Sequence, residues 1–337
     1  MNPELAISQE RRTAELGGGV EPVRARGYWE QVWMRFRCDR VAMASGIFIV
    51  FLVLVAIFGG PIAAALLGHG PNDIFFSGVN DNLLPVGPWT HVQTPDGGST
   101  LFILGADGTL GRDEFLRLLY GARVSLEVAV LSTLGVMTFG VTMGIVAGYF
   151  RGWIDAVISR IIEVTMAFPA LLFIIALAAT IGERLNNVTF GIFGKGVVTL
   201  ILVFTVFGWF FTARVVRASV ISLREKEFVE AARMVGASDF RIMRSHVLPH
   251  LVAPIVVLST LVVAQFILAE AGLSFLGLGV KLPTASWGVL LAAAPEFYTS
   301  VPWLMLWPGL AVLLTTLAFN LLGDGLRDAF DPRAAQH

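Results

Sequence analysis

Long, unbroken apolar runs alternate with short polar clusters along this chain. Runs of about 20 residues, enough for a helix to cross the roughly 30 Å hydrocarbon layer of a bilayer, fall at 41–67, 124–150, 157–181, 196–222, 251–272 and 302–323. Six spanning helices follow, so the expected fold class is an all-α polytopic membrane protein. The first run begins behind 40 residues of charged chain. That is too far in and too long for a cleaved secretory leader, and it predicts a retained spanning helix.

Between the first two runs, residues 68–123 carry the turn signals HGPND, PVGP and TPDGG. They predict an extramembrane loop. A short interfacial helix is expected at its end, around RDEFLRLLYGAR, with Phe115, Leu118 and Leu119 recurring at helical spacing and Arg112 and Arg117 pointing away. The organisation is then a tail over 1–40, a first span at 41–67, an outer loop at 68–123, and a five-span core at 124–323 containing a polar loop at 223–250. A second tail covers 324–337.

Composition supports a membrane class: 55% of residues are hydrophobic and 15% charged, against about 25% charged in soluble domains. The formal net charge of -1 speaks against a nucleic-acid partner, which calls for a basic excess. Placement of charge matters more than its sum. With the N-terminus in the cytoplasm, 18 of the 24 Lys and Arg residues lie inside, which satisfies the positive-inside rule. Both termini and the 223–250 loop are therefore expected in the cytoplasm. The single cysteine, Cys38, excludes an internal disulfide and a Cys-based metal site.

Gly140, Gly144, Gly148 and Gly152 recur every four residues, a stripe that lets a second helix approach closely. Trp153, Trp209, Trp287 and Trp303 stand near span ends, as interface anchors or ordinary packing residues. Polar groups at membrane depth are few: Glu163, Gln265 and Glu270. Glu270 is open to structural pairing or to substrate contact. Such scarcity weighs against an ion-driven carrier. His246 and His250 share a helix face, but no carboxylate cluster or HExxH pattern joins them, which leaves a membrane hydrolase without support.

The polar loop holds REKEFVEAARMVGASDFRIMRSHVLPHL, residues 224–251. Phe228, Ala231, Ala232 and Val235 fall at i, i+3, i+4 and i+7 and predict a short amphipathic helix, with Lys226 and Glu230 spaced to pair. Gly236 offers the left-handed turn that ends it. A second helix is expected from Ser238 or Asp239 to Pro249, where the chain turns into the next span. Paired alanines make the first helix slim. That shape fits a groove on another protein, while periodicity alone also allows a helix resting on the inner leaflet.

Glu230-Ala231-Ala232, Gly236 four residues after Ala232, and Leu248-Pro249 resemble the cytoplasmic EAA signature of bacterial ABC-type import permeases. Three further stretches resemble the C-type subunit of dipeptide, oligopeptide and nickel permeases: GRDEFLRLLYGARVSL at 111–126, EAGLSFLGLGVKLPTASWG at 270–288 and FNLLGDGLRDAFDPR at 319–333. The likeness spans roughly 105–333. It departs at Gly105-Ala106-Asp107, where the family has Gly-Thr-Asp, and in an enlarged first outer loop.

The resemblance implies a type I importer permease (MetI-like) fold in the bacterial inner membrane. It also implies a non-catalytic subunit that forms a pore with a second, related B-type permease chain. The expected partners are two ABC ATPases, an extracytoplasmic substrate-binding protein and membrane lipid. The chain has no phosphate-binding loop, so no cofactor is expected in it, and ATP and Mg are assigned to the ATPases. By position, the ATPase-coupling residues are Phe228, Glu230, Ala231, Ala232, Val235, Gly236, Leu248 and Pro249. Candidates for the substrate path are Gln265, Glu270, Ser274, Gly277 and Gly279. The glycines of SFLGLG suit either a pore-side turn or packing. Peptides are the expected solute, with nickel chelates or another small solute as the alternative. A stand-alone secondary transporter is the rival class.

Overall fold

The computed structural model describes residues 27–94, 97–167 and 194–331, with isolated positions at 169, 172, 175, 176 and 180. A juxtamembrane helix α1 (Tyr28–Cys38) leads, through Asp39, into α2 (Arg40–Leu67). The Asp39 carboxylate accepts from the Val41 and Ala42 amides and so satisfies two of the free donors at the start of α2. At the other end Gly68 takes a left-handed conformation, φ 76°, and stops the helix. The exposed Cys38 sits at this junction.

Beyond α2 the chain forms a small head. Strands β1 (Thr90–Gln93) and β2 (Ser99–Phe102) pair antiparallel, as do β3 (Ala106–Asp107) and β4 (Arg112–Asp113). Phe75, Val92, Phe102 and Ala106 close into a core of its own. The loop expected over 68–123 therefore contains two ribbons within an otherwise helical protein. Strands this short give little alternation to read.

The second long helix, α3 (Glu114–Phe150), runs unbroken for 37 residues, about 55 Å at 1.5 Å per residue. This corrects the separate interfacial helix, because Asp113 caps the helix start through its carboxylate and the apolar pattern never breaks before residue 124. It also corrects the arginines, which turn inward. Arg117 is fully buried and Arg112 nearly so, and the two share the Asp107 carboxylate; Arg112 Nη2 lies 2.9 Å from Asp107 Oδ2. Arg117 also reaches Asn72 Oδ1 at 2.9 Å and the Pro283 carbonyl at 3.4 Å. An ion network thus ties the head to α3 and to the 276–286 loop, and removing one member of such a buried set costs about 3–5 kcal/mol.

His69 joins this network. Burial alone pushes its imidazole down, but bonds to Asp113 Oδ2 (3.0 Å) and the Leu67 carbonyl (3.1 Å), with the charges of Asp113 and Asp73, outweigh burial and raise it above 6.5. Both ring nitrogens face acceptors, which favours the doubly protonated ring. Stabilisation by this pair is therefore complete below the unfolded pKa and is lost as pH rises through the folded one. Hydrogen exchange over residues 69–113 should be slower at about pH 6 than at about pH 8.5 after correction for intrinsic rates, and His69→Gln should remove that difference.

After α3, Arg151 and Gly152 turn the chain with positive φ into α4 (Gly152–Ala167). This helix begins the expected third span; the rest of 157–181 lies outside the described residues apart from the isolated positions. The remaining long helices are α5 (Val197–Arg224), α7 (Asp239–Phe275) and α9 (Trp303–Phe330), with a short α8 (Trp287–Ala293) before the last. Among the described residues, α2, α3, α5, α7 and α9 are long and apolar enough to cross a membrane.

The closest pairing joins α3 to α5 through the glycine stripe. A Cβ on Gly140 would lie 2.9 Å from the Trp209 carbonyl, one on Gly144 2.7 Å from that of Ala213, and one on Gly148 2.9 Å from that of Arg217. Gly135 meets the Thr205 side chain, while Gly152 is a turn glycine with open space around it. Against this pair packs α7, with the Phe204 and Phe266 rings stacked 4.8 Å apart. Helix α9 packs on α7, and α2 packs on α9, where Ala42 fills the space above Gly325. Trp287 is buried, its Nε1 donating to the Leu118 carbonyl, so it is a core residue and not an interface anchor.

Candidate functional site

Between α5 and α7 the chain makes the short helix α6 (Glu227–Met234). Its end is a Schellman turn. Gly236 takes φ 85°, its amide donates to the Arg233 carbonyl (2.9 Å), and the Ala237 amide donates to the Ala232 carbonyl (3.0 Å). Lys226 takes the N-cap position, outside the helix, and no ion pair joins it to Glu230. Both the helix and its glycine stop stand where the sequence places them.

The buried face differs from the expected one. Val229 and Ala232 turn toward α3, α5 and α7, in a cluster with Ile145, Val216, Val220 and Ile242. Phe228, Ala231 and Val235 stay exposed, Val235 at 90%, joined by Met234 at 89% and Phe240 at 68%. The i, i+3, i+4, i+7 set therefore splits: Ala232 anchors the helix to the bundle and the rest form an uncovered apolar surface. Val229 at i−3 from Ala232 was the signal for the inner face. Phe228 is steadied by the His250 ring, 4.9 Å away.

No turn interrupts the chain at Pro249. The Asp239–Ile242 turn passes through a π-helical segment, Met243–Val247, straight into the span. The Leu248 amide bonds five residues back, to Met243, and Pro249 then stands where an amide donor is missing. The wider π turn absorbs that gap, and α7 continues as one helix. Leu248 packs against the inner cluster, while Pro249 and Glu230 are exposed.

Toward the C-terminal end of α7, Glu270 is fully buried. Its Oε2 accepts from Ser125 Oγ and its Oε1 from Ser274 Oγ, both at 2.8 Å. Ser274 Oγ in turn accepts from the Val280 amide, and Ser125 Oγ from the Trp287 amide. One carboxylate thus gathers α3, α7, the following loop and α8. Gly277, φ 76°, forms a second Schellman turn with Leu278, and a Cβ on Gly279 would strike Ser274 Oγ at 2.2 Å. Gln265 lies on the opposite face of α7, exposed in one stripe with Leu268, Gly272 and Phe275.

Membrane-length helices and a short helix between two of them, with an uncovered apolar surface, mark an integral membrane protein with a face left open for contact. The chain belongs to the family described as binding-protein-dependent transport system inner membrane component, whose model matches residues 140–336. Residues 27–85 match the N-terminal TM domain of oligopeptide transport permease C. The dipeptide transport system permease protein DppC of Alkalihalophilus pseudofirmus is 38% identical over 305 residues, covering 90% of each chain. The glutathione transport system permease protein GsiD of Pectobacterium atrosepticum is 37% identical over 90% of this chain and 91% of that one.

A chain of the inward-facing MetNI methionine ABC transporter shares the fold, with a TM-score of 0.50 and 18% identity over 64% of this chain and 96% of that chain. This protein is a non-catalytic permease subunit of an ABC importer, integral to the inner membrane. Such a subunit works beside a partner permease and ATPase subunits that use ATP.

Proposed function

We propose that this permease carries peptides of a few residues, glutathione-like peptides among them, inward through a pore shared with a related B-type chain. The uncovered apolar surface on α6 carries the coupling half of the proposal. In this reading both termini and α6 face the cytoplasm, and Phe228, Glu230, Ala231 and Val235 enter a cleft on an ABC ATPase. Ala232, Gly236, Leu248 and Pro249 hold that surface in place. ATP and Mg bind in two such ATPases, and an extracytoplasmic binding protein delivers the solute to the outer side. The Gln265 stripe of α7 faces the shared pore; Glu270, Ser274, Gly277 and Gly279 shape the pore wall from behind.

The peptide assignment rests on relatives that carry dipeptide and glutathione names over nine-tenths of their length. It is tested by expressing the chain with its partner subunits and measuring uptake of labelled alanyl-alanine, glutathione and a nickel chelate. Accumulation of either peptide that depends on ATP and is suppressed by the other is expected. Uptake of the nickel chelate alone would overturn the assignment, and uptake without any ATPase would overturn the class of driving force.

A further inference from the structure

Three elements, α5, α6 and α7, converge on one residue of α3, Tyr149, one position before the end of that helix. Its side chain is 3% exposed and lies in the cluster that includes Val229 of α6. The hydroxyl donates to Asp239 Oδ1 at the first turn of α7, 2.6 Å away. The Arg233 guanidinium of α6 stands over the ring, 5.3 Å from its centre, within cation–π range. From the last residue of α5, Arg224 Nη1 donates to the Tyr149 carbonyl at 2.5 Å.

The backbone beside it is strained. Two residues on, Arg151 holds φ 54° and ψ −162°, a combination that side-chain-bearing residues rarely adopt. Its Nη2 is paired with Glu225, between α5 and α6, at 2.6 Å. Arg217 of α5 grips Asp155 of α4 through two hydrogen bonds, 2.5 and 2.6 Å. The inner ends of α3, α4 and α5 are therefore fastened together, and Tyr149 is the point at which the α6–α7 connection is fastened to them through side-chain polar groups.

Resting on the coupling role proposed for α6, we propose that Tyr149 is the positioning residue that passes displacement of α6 to α3. Apolar contacts at Val229 and Ala232 hold α6 close but permit sliding. A charge-accepted hydrogen bond fixes direction as well as distance. With the hydroxyl removed, α6 and the start of α7 that follows it can move with an ATPase without drawing α3 along.

The test uses the full assembly in lipid nanodiscs, with spin labels at Arg123→Cys and Tyr298→Cys in a Cys38→Ser background. Both label sites are exposed, Arg123 on α3 and Tyr298 in the segment between α8 and α9. The distance between labels is read with and without ATP plus vanadate, and nucleotide trapped in the ATPases is measured on the same sample. Parent protein should trap nucleotide and shift its label distance. Tyr149→Phe should trap nucleotide and lose the shift, Asp239→Ala should do the same, and the double variant should be no worse than either alone, because one bond is removed in all three. A shift of parental size in Tyr149→Phe, or loss of trapping in step with loss of shift, overturns the joint. Absence of any shift in the parent overturns the coupling reading itself.

Discussion

Val235→Asp should cost this permease its ATPases while leaving its own fold intact. Val235 is 90% exposed at the C-cap of α6, beside Met234 at 89%, so a carboxylate there meets only water in the free chain. Surface substitutions of that kind change stability by roughly 0.5 kcal/mol or less. Seated in an apolar cleft, the same carboxylate is an unpaired buried charge and costs several kcal/mol. A loss of about 3 kcal/mol weakens association on the order of a hundredfold. Tagged Val235→Asp should reach the membrane in parental amount, retain its thermal unfolding midpoint in detergent, and recover almost no ATPase on affinity purification.

Val229→Asp supplies the contrast. Val229 is fully buried in the inner cluster, so this variant should lose its own stability first. Full ATPase recovery with Val235→Asp would remove α6 from the coupling role. Equal loss of midpoint in the two variants would show that Val235 is a packing residue.

How much of this was legible depends on how local the determinants are. Span positions rest on stretches of about 20 apolar residues and on caps a few positions away, and the described spans lie where the apolar runs do. Gly236 and the stripe at Gly140, Gly144 and Gly148 were legible for the same reason: spacing along one helix fixes which residues share a face. The register of α6 was not. Nine residues, 227–235, carry two apolar arcs, Phe228–Ala231–Val235 and Val229–Ala232, and only the packing of α3, α5 and α7 decides which arc is covered.

Partners distant in sequence were invisible for a different reason. Asp107 neutralises Arg117 from the far strand of the β3–β4 ribbon, and Ser125 meets Glu270 from 145 residues away. Charge at a span end read as exposure because no sequence period announces such a partner. Likewise, the long α3 hid its start, since Asp113 caps it from inside a stretch that also reads as an interfacial helix. The covered arc of α6 and the Tyr149 joint became visible only once three helices were side by side.

Gly144→Leu should be among the most damaging single changes in the bundle. A Cβ at this position would stand 2.7 Å from the Ala213 carbonyl oxygen and 2.8 Å from the Val216 Cβ. Neither can retreat: one is backbone hydrogen-bonded within α5, and the other belongs to a β-branched side chain with one favoured rotamer in a helix. Relief requires α3 and α5 to move apart, and that also opens the contacts at Gly140 and Gly148. In a bilayer no hydrophobic force holds the helices together, so close packing lost along the stripe is not replaced.

Overpacking of this kind costs about 1–3 kcal/mol or more, and here the cost is shared by three close approaches. Gly144→Leu should accumulate poorly and, in detergent, unfold at a clearly lower temperature than the parent. Gly309→Ala, in the interior of α9 with no atom within 4 Å of the added methyl, should unfold no earlier than the parent, because Ala gains roughly 1 kcal/mol of helix propensity over Gly. Equal midpoints for the two variants would mean that the stripe does not hold α3 against α5. The inner ends of these helices, fastened at Tyr149, would then need another reason to stay in register.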